Sequence, residues 1–156
     1  MSGLYHVCFT VPDLEAAMRD LTTAAAVTWA KPVKASIGEW EYRIVFTSGD
    51  APFIELIEAA TGGPWGDTRE PGFHHIGFWT SSIQAGTERL AASGMPEEFS
   101  GCPYGRPFAY HRVPGIGANL ELVEITRQPS FIDAWNPGGA PMPAINEEAY
   151  PWNPSR

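Results

Sequence analysis

The sequence predicts an α+β protein of two like modules. Each is a strand, a helix, then two or three further strands, with the helix on one face of an antiparallel sheet. Three observations carry this reading. His6-Val7-Cys8-Phe9 returns as His75-Ile76-Gly77-Phe78, and each copy is followed by a short polar break and a helix-like stretch. Ile54-Glu55-Leu56-Ile57-Glu58 returns as Leu120-Glu121-Leu122-Val123-Glu124. The two pairs keep their order at nearly one offset, 69 residues from His6 to His75 and 66 from Glu55 to Glu121. Such recurrence marks a duplicated unit. The modules span residues 4–59 and 73–126, each opened by a His strand and closed by a Glu strand.

The elements follow in order. Residues 5–11 are β-branched and aromatic and read as a strand. Pro12-Asp13 ends it and starts a helix over 14–26, with Leu14, Ala17, Met18 and Leu21 on one face. Strands at 41–47 and 53–59 flank the turn signal Ser48-Gly49-Asp50. In the second module residues 74–80 form a strand. Ser81 or Ser82 then caps a helix with Ile83, Thr87, Leu90 and Ala91 inward, and Gly94 ends it. Residues 108–113 and 119–125 close the module as a hairpin around Pro114-Gly115-Ile116-Gly117. Residues 127–156 show no period and hold six of the fifteen prolines, so they predict an extended Pro-rich C-terminal tail. Its aromatics Trp135, Tyr150 and Trp152 point to packing across the body or onto a partner subunit, with a disordered terminus as the alternative.

Composition narrows the function. At 156 residues the chain is one domain, or two halves sharing a core. With 44% apolar and 18% charged residues it is not a disordered chain. A net charge of −8 and no Lys/Arg run argue against nucleic acid and anionic membranes as partners. Its apolar runs fall far short of the ~20 residues that span a bilayer, and no signal peptide is read at the N-terminus. Two cysteines, Cys8 and Cys102, are too few for a disulfide scaffold and predict a reduced, cytoplasmic setting.

Side chains alternate across a strand. His6 therefore shares a face with Cys8 and Thr10, which leaves Tyr5, Val7, Phe9 and Val11 to the helix. His75 shares a face with Gly77 and Trp79, while Glu55 and Glu121 each stand between apolar neighbours of opposite parity. All four repeated polar residues fall on the face away from the helices. A carboxylate within an apolar strand needs a partner or a metal to offset desolvation. Two imidazoles and two carboxylates suit one divalent ion, Zn, Ni, Co, Mn or Fe. His74, of opposite parity, reads as a supporting or core residue, Glu58 and Glu124 as solvent-facing, and His111 as an unrepeated candidate near the cavity. No G-x-S-x-G elbow, P-loop or dinucleotide glycine fingerprint follows a strand.

These pieces resemble the vicinal oxygen chelate superfamily, also called the glyoxalase / bleomycin resistance / dioxygenase superfamily. The resemblance rests on residues 6–14, Ile54-Glu55-Leu56, His74-His75-Ile76-Gly77 and residues 117–124. It covers both modules and not the tail. It implies two βαβββ modules forming a curled mixed sheet around a metal cleft, with the metal on His6, Glu55, His75 and Glu121. A set of two His and two carboxylates resembles glyoxalase I and the methylmalonyl-CoA epimerase group more than ring-cleaving dioxygenases. The stretches Phe9-Thr10 and Leu56-Ile57-Glu58-Ala59 lack the basic residue and the Asn that help hold glutathione in glutathione-using glyoxalase I. No basic cluster stands ready for coenzyme A phosphates either.

The reaction so implied is isomerisation, epimerisation or lyase chemistry by proton transfer on a small apolar substrate with vicinal oxygens. Glu121 is the first choice of base and Glu55 the second. Cys8, Thr10, Trp79, Tyr104, Phe108 and Tyr110 are expected to wall the cavity, while Arg43 and Arg106 are candidates to hold a carboxylate, with a surface role preferred for each. A non-catalytic small-molecule binder of the antibiotic-resistance type and an Fe(II)-dependent dioxygenase are the rival readings. A homodimer, and a cleft within one chain or between swapped chains, are left open.

Overall fold

Each half of the chain folds as one strand, one helix and three strands, and the halves join edge to edge. The computed structural model describes residues 3–149. The first half contains β1 (His6–Thr10), α1 (Leu14–Ala25), β2 (Val33–Ile37), β3 (Trp40–Phe46) and β4 (Phe53–Ala59). The second contains β5 (Gly72–Thr80), α2 (Ile83–Ala92), β6 (Glu97–Ser100), β7 (Phe108–Val113) and β8 (Ala118–Glu124). The C-terminal segment adds α2's successor, α3 (Gln128–Trp135), and a short strand, β9 (Ala144–Ile145).

The helices start where a short polar side chain can accept an unpaired amide. The Ala16 amide donates to Asp13 Oδ1 at 2.8 Å, and the Ala85 amide to Ser82 Oγ at 3.2 Å. Leu14, Ala17, Met18 and Leu21 bury the inner face of α1 against Val11, Val45 and Leu56. On α2 the buried residues are Gly86 and Leu90, and Ala91, expected inward, is exposed. A Cβ at Gly86 would stand 2.6 Å from Leu122 Cδ1, so the helix rests on the sheet along this line and Ala91 turns outward.

The strands form one mixed sheet in the order β2-β3-β4-β1-β5-β8-β7-β6, with β9 alongside β5. β1 runs parallel to β4 and β5 parallel to β8, while β1 and β5 meet antiparallel at the module boundary. The two modules are thereby related by an approximate two-fold through the β1–β5 seam.

The expected extended tail is a correction. Residues 128–135 are helical, with Pro129 in the first turn, where a missing N–H costs nothing. Gln128 is buried and exchanges two hydrogen bonds with the backbone of Met142, at 3.0 and 2.9 Å. Glu147 accepts from Arg89 at 2.8 Å and from Thr80 at 2.9 Å, which straps the segment to β5 and α2. Phe131 and Trp135 pack on Phe46, with centroids 5.0 and 4.9 Å away. The tail aromatics thus cover this chain's own sheet. Tyr150 and Trp152 lie outside the described residues. Among the described residues no helix is long and apolar enough to cross a membrane.

Candidate metal centre

Two rows of residues cross the middle four strands. One reads Phe53, His6, Gly77, Glu121 and the other Glu55, Cys8, His75, Asn119. Each module's His therefore sits across the seam from a small residue of the other module. Gly77 is required there: a Cβ would fall 2.0 Å from Cε1 of His6. The sequence carries this signal two positions after each His, where a small side chain stands in both copies.

The donor atoms converge. His6 Nε2 lies 2.8 Å from His75 Nε2, 3.0 Å from Glu55 Oε2 and 3.1 Å from Glu121 Oε2. His75 Nε2 lies 3.2 and 3.3 Å from the same two oxygens. All four residues are buried and come from one chain, so the cleft needs no swapped partner. Glu55 Oε2 has no hydrogen-bond partner despite these distances. Such atoms face a common point rather than each other. Donors ~2.1 Å from a shared ion and at right angles would stand ~3.0 Å apart, so the set fits one divalent ion.

Without an ion the four groups hold one another's charge. Burial alone lowers a histidine, yet Glu55 and Glu121 outweigh it at His6, which rises to about 9, and His75 moves the same way. Burial alone raises a carboxylate, yet the facing imidazoliums bring Glu55 and Glu121 below their ordinary value. Rings flank both sides. Phe46, the register partner of Glu55, packs against His6 at 5.7 Å. Tyr110, the partner of Glu121, packs against His75 at 4.8 Å. Only the second of these places carries a hydroxyl.

His6, Glu55 and Glu121 floor a cavity of about 200 Å³ whose wall includes Phe108 and Tyr110. Four other expected wall residues sit elsewhere. Cys8 is fully buried beside Glu55 and His75, beneath the donors. Thr10 is buried with its hydroxyl 3.5 Å from the Gly72 carbonyl. Trp79 shares the parity of His75 but lies past the cavity's end, stacked on Tyr5 at 4.3 Å. Tyr104 is exposed, against Trp40 and Phe99. Parity names a face of the sheet and not the part of that face left uncovered.

Other expectations also change. Tyr5 precedes the regular part of β1 and turns to the cavity instead of the helix, and Phe9 stays exposed against Phe73. His111 is buried under α2, bonded to Thr87 at 3.2 Å and the Met95 carbonyl at 3.1 Å. Arg43 is committed to Glu15 and Glu58, whereas Arg106 lines the cavity. Trp65 was missed, although an aromatic inside the glycine-rich loop Gly62-Gly63-Pro64-Trp65-Gly66 is a readable signal. It is buried, and its Nε1–H donates to the Tyr110 hydroxyl at 3.1 Å.

Two βαβββ halves joined at their first strands, each sending one His and one Glu to a single buried point, define a twin-module class of protein. The chain belongs to the glyoxalase/bleomycin resistance protein/dioxygenase superfamily, whose family model matches residues 5–113. Solved structures share the fold. Methylmalonyl-CoA epimerase from Mycobacterium tuberculosis is 20% identical, over 78% of this chain and 87% of that one, with a TM-score of 0.56. A hypothetical protein from Bacillus halodurans is 17% identical, over 79% and 94%, with a TM-score of 0.61. A mutant 4-hydroxymandelate synthase from Streptomyces coelicolor is 16% identical, over 79% and 48%, with a TM-score of 0.56. Among curated proteins none matches the chain significantly by sequence.

Proposed function

We propose that the chain is a metal-dependent enzyme of isomerase, epimerase or lyase type, which moves a proton beside a carbonyl of a small apolar substrate bearing vicinal oxygens. The convergence of four donor atoms at 2.8–3.3 Å, three of whose residues (His6, Glu55 and Glu121) line a largely aromatic cavity, carries this reading. His6, Glu55, His75 and Glu121 would hold the ion. When bound, a divalent metal supplies Lewis-acid stabilisation of negative charge on substrate oxygens.

The chain's own groups do the rest. Glu121 takes the proton, with Glu55 as its counterpart in the other module. Glu121 is preferred because its register partner is Tyr110, whereas Glu55 faces Phe46. Burial, then the Glu121 charge, raises the Tyr110 phenol and keeps it protonated. Its oxygen already accepts from Trp65, so its O–H is left to donate to a substrate oxygen. The aromatic wall excludes water and strengthens each of these interactions.

Two measurements test this. Protein purified without chelator should hold one divalent ion per chain, and His75→Ala should hold almost none. The metal-loaded protein should exchange the α-protons of an aryl α-hydroxyketone, 2-hydroxyacetophenone, in heavy water. Glu121→Gln should slow exchange about 10²–10⁴-fold while keeping metal, with Glu55→Gln as the matched control. Wild-type exchange in both variants overturns the proton-transfer reading. Tight ligand binding without exchange makes the chain a binder.

A further inference from the structure

The cavity has two features that a metal floor does not require. The first is the origin of its wall. Tyr42, Trp65 and Tyr110 belong to one core cluster, while Phe46, Phe131 and Trp135 belong to another, and rings from both face the same space. Phe131 and Trp135 come from α3, outside the 5–113 span of the family model. Part of this wall is therefore built by the chain's own C-terminal segment.

The second feature is charge. Acids outnumber bases 18 to 10 in this chain, yet two guanidinium groups line this cavity. Among the described residues neither has a carboxylate within ion-pairing distance. Arg106 donates to the Tyr42 hydroxyl and, at 2.5 Å, to the Ser36 carbonyl, both neutral acceptors. Arg127 is exposed on the rim just before α3. The two floor carboxylates are balanced by the histidines or by an ion, so they do not neutralise these cations. Cations beside an aromatic cavity recognise an anion borne on an apolar body.

We infer that the site takes a small aromatic molecule with vicinal oxygens at one end and a carboxylate at the other, the ring held between Trp65 and Trp135 and the carboxylate by Arg127 and Arg106. The vicinal-oxygen end rests on the function proposed above. The ring and the carboxylate rest on the wall alone.

Three hydroxamates, which chelate metals through neighbouring oxygens, separate these parts. Acetohydroxamate tests the floor, benzohydroxamate adds a ring, and 4-carboxybenzohydroxamate adds the carboxylate. Binding to the zinc-loaded protein is read by calorimetry, with metal content measured separately. Each addition should tighten binding, the carboxylate by about 10–100-fold, as a charged hydrogen bond does. Arg127→Gln should erase the carboxylate advantage and leave benzohydroxamate binding unchanged. Trp135→Leu should shrink the ring advantage at least several-fold and leave acetohydroxamate unchanged. If metal and acetohydroxamate bind but ring and carboxylate add nothing, or Arg127→Gln keeps the carboxylate preference, this inference falls and the proposed function stands. If the chain holds no metal and binds no hydroxamate, both fall.

Discussion

Nδ1 of His74 lies 2.7 Å from Nδ1 of His75, although the two are consecutive residues of β5. Alternation should send them to opposite faces. The pairing of β5 with β1 passes from Cys8–His75 directly to Phe9–Phe73, so His74 is the unpaired residue of a bulge. A bulge re-aims the side chain it carries. Burial and the neighbouring His75 hold His74 down at about 4, so it is neutral. A neutral imidazole has one nitrogen free to accept, and Nδ1 is placed to accept from His75, which leaves His75 Nε2 facing the other donors.

His74 is therefore expected to position His75. His74→Ala should weaken metal binding about 10–100-fold, the usual cost of losing such support, whereas His75→Ala should nearly abolish it. Competition with a chelating dye measures both, and the ¹⁵N shifts of His75 report its tautomer. Unchanged affinity and shifts in His74→Ala would assign His74 to packing alone.

Gly77 and Cys8 hold equivalent places opposite His6 and His75. Gly77→Ala drives a methyl group into the His6 ring, because its Cβ would stand 2.2 Å from Nδ1. It should cost about 1–3 kcal/mol of stability, as overpacking does, and lower metal affinity by displacing His6. Cys8→Ala, which only removes a sulfur, is the control and should keep most of the metal. Denaturant melts and metal titration together decide this, and a fully metal-competent Gly77→Ala contradicts the geometry.

Glu58 and Glu124, expected to face solvent, form a second duplicated feature. The Leu14 amide donates to Glu58 Oε2 at 2.7 Å and the Ile83 amide to Glu124 Oε2 at 2.7 Å. Each Glu strand thus sends one carboxylate to the donor cluster and the next but two to the first turn of its own module's helix, where negative charge is favoured. Glu58→Gln and Glu124→Gln should each destabilise by roughly 1 kcal/mol and add nearly independently, being in separate modules. Metal content should not change. A loss of metal in either variant would show that the helix contact and the metal site are one unit.

The charge pattern sets a pH dependence. His6 rises from 6.5 to about 9 on folding, so its contribution to the metal-free protein is complete below pH 6.5 and fades as pH climbs through about 9. Glu55 and Glu121 fall below 4.5, so their contribution is present above that value and fades in acid. Metal-free stability should therefore be greatest between about pH 4.5 and 6.5. An incoming ion must displace the histidine protons, so apparent affinity should climb about tenfold per pH unit for each proton released between pH 6 and 8. Calorimetry in buffers of different ionisation enthalpy counts those protons. A flat affinity over that range would mean that the histidines are already neutral.

The repeat and the strand alternation were sufficient to single out His6, Glu55, His75 and Glu121, because a duplicated strand keeps its parity wherever it is placed. The helix start at Asp13 was equally legible, and that of the second helix was narrowed to Ser81 or Ser82, of which Ser82 caps, since capping is decided within four residues. Strand β2 and strand β6 were only implied, as short half-exposed strands with little periodic signal. The bulge at His74 depends on how β5 pairs with β1, and no local pattern contains that pairing. The folding of residues 128–145 depends on Phe46, Trp79 and Thr80, distant surfaces that give a Pro-rich segment somewhere to pack. For the same reason the tertiary structure alone decided which residues wall the cavity. Periodicity reports which way a side chain points, while the curl of the sheet and the course of the tail determine what it meets there.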